Sequence, residues 1–424
     1  MIKVNSTRKI AVVAMVAMAA AGLTACSNSP EPGNSNSDAP LSGSITFSNW
    51  QWLAPGSGDA LWDAITKGYA ADNADITLTR SETPFAQYAN KLNTELGAGG
   101  GPDVFVVGDV QFTTLAEAGL LEPLDDALGD ATLNSSNDPL KVDGKQLGLT
   151  WEQVGYAFIG NKKVMDKAGI ATMPTTVDEL IKAGKKVEAI GADGFAVRHL
   201  MSEFSGWFTD FPAWTYGQGG SFSDGTQLTI DSSENVKGLT EYKKVLGSGI
   251  VPIGDDASTF RTKFKEDQLG FTIDNSGAVL SFTTAMSGKD IVAGPLPFPA
   301  AAGQNQHLIL AVNAKSKNKE LALDFVSWVM GQDGQKILRD QRGASILATD
   351  VPLDPAFAAD NPWAETFITT GPQTRSGLIV GFEADTEPIM RIVMLAVERV
   401  ITQNEDPQKA LGEAQKEAEQ QFSK

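Results

Sequence analysis

Short apolar runs alternate with longer amphipathic ones along this chain. Ser44-Ile45-Thr46-Phe47 has the period of a β-strand, and residues 59–71 have that of a helix with Leu61, Trp62, Ile65 and Tyr69 on one face. Ile76-Thr77-Leu78 reads as a second strand. Residues 85–96 read as a second helix, with Phe85, Tyr88, Leu92 and Leu96 in phase, and Asp103-Val104-Phe105-Val106-Val107 as a strand buried on both faces. Strand, helix, strand, helix, strand predicts an α/β fold built on a mostly parallel sheet flanked by helices. The glycines at 97–101 close a helix and precede a strand. A phosphate loop would follow a strand and open a helix, so these read as caps and turns. Further on, 269–273 is a strand and 388–401 a helix with Ile389, Ile392, Val393, Ala396 and Val400 in phase, which assigns its apolar stripe to packing. Asp406-Pro407 opens a final helix through Ala418.

A different pattern precedes this body. Lys3, Arg8 and Lys9 give a basic start, and the apolar run 10–23 falls short of the roughly 20 residues that span a bilayer. The run ends in Leu23-Thr24-Ala25-Cys26, which resembles a lipobox, whose cysteine is acylated and becomes the new N-terminus. This predicts a lipoprotein signal peptide over 1–25 and a lipidated Cys26. A flexible linker of Ser, Asn, Pro, Gly and Asp then follows through residue 42. Cys26 is the only cysteine, so it has no partner for an internal disulfide. Each buried lipid methylene contributes roughly 0.8 kcal/mol, and stable anchoring takes more than one chain, as lipoprotein acylation supplies. The expected location is extracytoplasmic, tethered to the cell membrane without crossing it.

Composition narrows the partners. Without Lys3, Arg8 and Lys9 the body carries 31 Lys and Arg against 52 Asp and Glu, a net charge of −21. Such a surface repels nucleic acid, anionic lipid and phosphorylated ligands and leaves a neutral ligand unaffected. Only His199 and His307 are present, far apart in sequence, so neither a metal site nor a cofactor is expected. A body of this length exceeds the roughly 250–300 residues at which one core splits into two, which predicts two lobes.

Several segments carry a family likeness. They are Tyr88-x-x-Lys91-Leu92-x-x-Glu95-Leu96, Gly101-Pro102-Asp103-Val104 and Ala118-Gly119-Leu120-Leu121-Glu122-Pro123-Leu124-Asp125. Asp143-Gly144-Lys145-Gln146-Leu147-Gly148-Leu149, Gly160-Asn161-Lys162-Lys163 with Ala168-Gly169-Ile170, and Pro174-Thr175-Thr176-Val177-Asp178-Glu179-Leu180 follow, Thr176 and Glu179 forming a capping box. Pro295-Leu296-Pro297 and the stretch 311–320, leading to Phe325 and Gly334-Gln335, complete the order. Together they resemble the extracellular solute-binding proteins of carbohydrate ABC importers, of the maltose-binding type. The resemblance implies two α/β lobes on a multi-segment hinge, 43–150 with 296–347 and 151–295 with 348–424. It also implies a carbohydrate, an oligosaccharide by preference, held in the interlobe cleft, a membrane permease and ATPase as partners, and a monomer with no catalytic residue.

A sugar ring offers an apolar C–H face and an equator of hydroxyls, so its receptor needs aromatic platforms with carboxylates, amides and Arg forks. Asn49, Trp50 and Trp52 follow the first strand, and Trp151 and Glu152 stand at the first crossing. Trp214 precedes Gly219-Gly220, and Asp109 follows the third strand. Asp274 and Asn275 end the 269–273 strand, and Arg342 and the loop 303–307 add donors. The family commonly carries a tryptophan shortly after that strand, where this chain has Asn275-Ser276-Gly277, so one stacking platform is absent. Trp62, Trp207, Trp328 and Trp363 are expected to pack in cores. The alternatives are a binding protein for a polyol or peptide and a secreted glycoside hydrolase, whose paired acids only spatial separation reveals.

Overall fold

The computed structural model describes residues 41–54, 57–300, 303–371 and 374–422. Cys26, with the expected signal peptide and most of the linker, lies outside the described residues.

Ten strands are described: β1 (Gly43–Ser48), β2 (Ile76–Ser81), β3 (Val104–Gly108), β4 (Lys141–Val142), β5 (Lys145–Gln146), β6 (Leu149–Asn161), β7 (Asp193–Ala196), β8 (Leu269–Asn275), β9 (Ile291–Gly294) and β10 (Asn305–Val312). Eight form one sheet in the order β2-β1-β3-β10-β6-β8-β7, with β9 also on β6. The small hairpin β4–β5 turns through Asp143 (φ 51°) and Gly144 (φ 78°), the pair of positive φ angles that an Asp-Gly hairpin turn requires.

β6 joins the two halves. Its first part, through Gly155, pairs antiparallel with β10, and its second, from Tyr156, pairs antiparallel with β8 and β9. In the first half β2, β1, β3 and β6 run one way and β10 the other; in the second half β7, β8 and β9 run opposite to β6. All strands but one therefore share a direction in each half, as the alternating pattern predicts.

The cores divide at the same place. Ile45, Phe47, Val104, Trp151, Leu310, Phe325 and Leu347 belong to one buried cluster, while Phe158, Trp207, Trp214, Phe271 and Val393 belong to another. Within the first, Phe47 meets Trp52, Trp151 and Phe325 edge-on at 5.1, 5.5 and 5.4 Å. Each such pair contributes about 0.5–1.5 kcal/mol beyond area burial.

The caps show why helices start where they do. Thr176 Oγ1 accepts the Glu179 N–H at 3.2 Å, opening Val177–Glu188. The return bond of the box is displaced by one residue, since the Glu179 carboxylate accepts from Thr175 N–H and Oγ1 rather than from Thr176. Asp406 Oδ1 accepts the Lys409 N–H at 2.9 Å, opening the final helix Pro407–Phe422. The helix Thr386–Thr402 buries Ile389, Ile392, Val393, Ala396 and Val400 in the second half.

One expectation changes. The segment 303–307, read as a loop, supplies the start of β10, with Gln304, Asn305 and His307 all buried. Its polar side chains face clefts on either side of a crossing strand, so its composition imitates that of a loop.

Candidate ligand-binding cleft

β6 and β10 cross between the halves and separate two clefts. Glu152, Val154, Gln306 and Leu308 border the front, and Gln153 and Ile309 border the rear. Asn305 and His307 touch both. The front consists of two adjoining cavities of about 890 and 580 Å³ that share Trp50, Gln306 and Leu308. The rear is a single cavity of about 1040 Å³, in which aliphatic side chains such as Leu140, Ile346, Val351 and Ile368 stand among polar ones such as Asn134, Ser136 and Glu365, and Asp109 borders it from the shared rim.

Aromatic rings stand on both walls of the front. On the first wall Trp50, at the start of a short 3-10 turn after β1, lies 5.6 Å from Phe85 and 5.0 Å from Tyr88, and Phe85 is 55% exposed. On the second wall Phe204 and Phe208 stack at 5.4 Å, with the Arg391 guanidinium 4.0 Å over Phe204. The short helix Phe204–Asp210 produces this by two i, i+4 pairs. Phe204 and Phe208 line the cavity, Phe204 as a buried member of the second core and Phe208 partly buried against it, while Trp207 and Phe211 lie wholly within that core.

Gln51 organises the smaller front cavity. Its Oε1 accepts from Trp151 Nε1 at 3.0 Å, Arg342 Nη2 at 2.9 Å and Asn49 Nδ2 at 3.1 Å, while its Nε2 donates to Glu152. Arg342 Nε stands 3.7 Å from Glu152 Oε2 and, among the described residues, has no hydrogen-bond partner. An amide hub thus fixes a carboxylate and a guanidinium at the wall, the pair of groups that reads hydroxyls.

Asp109 opens the helix Asp109–Glu117 at the larger cavity. Burial pushes its carboxyl up to about 6, against the opposing hydrogen bonds from Val110 N–H at 3.0 Å and from the Ser376 hydroxyl at 3.3 Å. Ser376 lies far along the chain, and the bond ties the two clefts' shared rim together. Burial lowers His307 to about 4, and its Nε2 pairs with Thr150 Oγ1 at 2.9 Å. His199 lies between the Val197 carbonyl and the Gly254 N–H, both at 2.9 Å. Each histidine is thereby committed to hydrogen bonds within the fold.

Of the residues read from sequence, Trp50, Asp109, Glu152, Asn275 and Arg342 line the front cavities. Asn275 also caps the helix Ser276–Phe282 through the Ala278 N–H. The other five do not reach the cleft. Asn49 is fully buried and caps the turn at Trp50 through the Gln51 N–H at 2.9 Å. Trp52 and Trp151 pack around Phe47 in the first core, because their positions on the 3-10 turn and on β6 point inward. Trp214 is enclosed by Phe195, Tyr242 and Phe298. Asp274 is buried in a bidentate pair with Arg261 at 2.8 and 2.7 Å. Burial pushes its carboxyl up, but the Arg261 charge and hydrogen bonds, with Arg198 beyond, hold it below the usual range.

Sequence reasoning missed Gln51, Arg198, Phe204, Phe208 and Arg391. The paired aromatic spacing of 204/208 against 207/211 was the available signal for two of them. Among the described residues there is no group of acidic, histidine or cysteine side chains placed to hold a metal, and no helix is long and apolar enough to cross a membrane.

Residues 54–336 match the family model of bacterial extracellular solute-binding proteins. The diacetylchitobiose binding protein DasA of Streptomyces coelicolor is 27% identical over 352 residues, covering 75% of this chain and 78% of that one. The GacH receptor of Streptomyces glaucescens, solved unliganded and with acarbose, superposes with a TM-score of 0.77 at 22% identity, covering 90% of this chain and 98% of that one. UgpB of Mycobacterium tuberculosis, solved with glycerophosphocholine, superposes with a TM-score of 0.73 at 21% identity, covering 89% and 98%. Two halves joined by crossing strands, a walled cleft between them and a family match over most of the folded body agree: the chain belongs to the bacterial extracellular solute-binding proteins, a family of binding proteins and not of enzymes.

Proposed function

We propose that this protein captures a neutral oligosaccharide in the front cleft and delivers it to the permease of an ABC importer. The observation that carries this reading is the pair of opposed aromatic walls, Trp50 with Phe85 and Phe204 with Phe208, flanked by Asp109, Glu152 and Arg342. Aromatic faces cover the C–H face of a sugar, while carboxylates and guanidinium forks take its hydroxyls. Two joined cavities offer room for more than one ring. The relative that binds diacetylchitobiose and the neighbour that holds acarbose support a saccharide. The fold alone does not, since a neighbour holds glycerophosphocholine.

The lobes in this reading are 43–150 with 296–347 and 151–295 with 348–424; two cores that part along β6 support such a division, with Trp151 packed in the first core and Tyr156 in the second. A ligand shifts the halves toward closure only by touching both, as groups on both walls allow. The protein acts as a monomer held at the cell membrane through lipid on Cys26. Replacing Cys26 by Ser releases it into the medium without changing ligand affinity; retention at the membrane rejects the anchor.

The test of function is calorimetry against a panel of neutral oligosaccharides, polyols, peptides and glycerophosphodiesters, with chromatography of the products. Binding of an intact oligosaccharide is expected. Turnover, or binding confined to the other classes, rejects the proposal.

A further inference from the structure

We propose that Arg198 is a specificity-determining residue of the second wall, whose guanidinium donates hydrogen bonds to an oxygen acceptor on the uncharged ligand. The proposal deepens the carbohydrate reading of the front cleft and rests on it. Arg198 borders the larger front cavity while only 8% exposed. Its Nη1 donates to Asp210 at 2.5 Å, and its Nε stands 3.7 Å from Glu203. Its own carbonyl accepts the Tyr242 hydroxyl at 2.6 Å, and that hydroxyl in turn accepts the Trp207 indole N–H at 3.0 Å. Gly206 lets the side chain lie close, since a Cβ there would sit 2.6 Å from Nε and 3.0 Å from Cζ. A fork immobilised before binding loses little entropy when it meets a ligand.

The surroundings decide which ligand atoms it suits. Asp210 is fully buried, and its Oδ1 has no hydrogen-bond partner among the described residues, so Arg198 is its hydrogen-bonded counter-ion. Behind them Arg261 and Asp274 form a second buried pair. Two guanidinium groups against Asp210, Asp274 and the nearby Glu203 leave no excess positive charge around Arg198. The Nη2 donors of Arg198 meet no acceptor among the described residues. What the cleft receives is a pair of aimed N–H groups without an excess positive field, which fits a hydroxyl or amide oxygen of a neutral sugar better than a phosphate or carboxylate. Lysine offers a point charge in place of a planar fork and does not reproduce this.

The experiment uses Arg198→Lys and the charge-balanced double variant Arg198→Met with Asp210→Leu, which keeps the assignment testable if one of them fails to fold. Both are titrated with the panel of neutral oligosaccharides, including maltotriose and diacetylchitobiose, beside the wild type and Trp50→Ala. Loss of a hydrogen bond from a charged group predicts about tenfold or greater weakening for the ligand the wild type binds most tightly. The order of preference among the sugars should also change, with melting temperature within about 5 °C for the Lys variant. Trp50→Ala should weaken all sugars and keep their order. Variants at 198 that bind the same sugars in the same order within twofold overturn the assignment and leave the carbohydrate reading standing. A wild type that binds no sugar overturns both.

Discussion

The two clefts that β6 and β10 separate differ in chemistry more than in size. The rear is one cavity of about 1040 Å³ that mixes aliphatic with polar side chains, has no tryptophan or tyrosine in its lining, and spends its buried guanidinium, Arg339, on the carbonyls of Gly343, Ser345 and Val351. The front is divided into smaller cavities, but aromatic rings face it from both halves and its charged groups are fixed with donors or acceptors to spare. Polar groups border both clefts; aromatic rings on two walls, which suit a ring-shaped guest, border the front alone among the described cavities. The same contrast separates the tryptophans, of which Trp50 faces the front cleft while Trp151 and Trp214 fill cores.

The largest effect should come from breaking that second contrast. Trp151→Ala and Trp214→Ala each remove a fully buried indole and should cost about 3–5 kcal/mol of stability, seen as a large fall in melting temperature. A melting temperature close to wild type, with lost ligand affinity, would return either residue to the site. Next, Trp50→Ala should weaken sugar binding by at least about tenfold, or about 1.4 kcal/mol, while leaving the melting of ligand-free protein nearly unchanged. If it melts early and binds normally, the first wall is structural.

A smaller effect is expected from pH. Asp109 is raised to about 6 by burial, above the roughly 3.9 of an unfolded chain, so the folded protein holds a proton there that the unfolded chain releases. Its contribution to stability is present below about pH 4 and is lost as pH rises through about 6. Asp210, also raised to about 6 by burial, adds a slope of the same sign. Affinity separates the two. If Asp109 lines the binding site as proposed, its ionised form accepts ligand hydroxyls, so binding should strengthen from pH 5 to 7, and Asp109→Asn should flatten that rise. An unchanged rise in the variant would remove Asp109 from the site. The smallest effect belongs to the rear: Ile368→Ala should leave sugar affinity within about twofold, below 0.5 kcal/mol, as titration would show. A larger loss would make the rear cleft a participant.

How much of this was legible in the sequence follows from where the information lies. Periodicity placed the strands β1, β2, β3 and β8 and the first two helices to within about three residues, β2 running on from Leu78 to Ser81. The caps at Thr176 and Asp406 are local chemistry and were readable as such. Polar-to-core assignments were not. Trp151 and Glu152 are adjacent on β6, and the pleat sends one into the core and the other to the cleft; which is which depends on pairing with β10, about 150 residues away. Asp274 looked like a ligand group because its partner Arg261 lies on a different element, and Gln51 looked unremarkable because its hub role needs Trp151 and Arg342 beside it.

In the proposed function the front cleft clamps a sugar between its aromatic walls. A crystal structure with the tightest-binding neutral oligosaccharide tests it most directly. A ring over Trp50, a second contact from Phe204 or Phe208, and hydroxyls on Asp109 or Glu152 are expected. Sugar density in the rear cavity, or touching only one half, would contradict it.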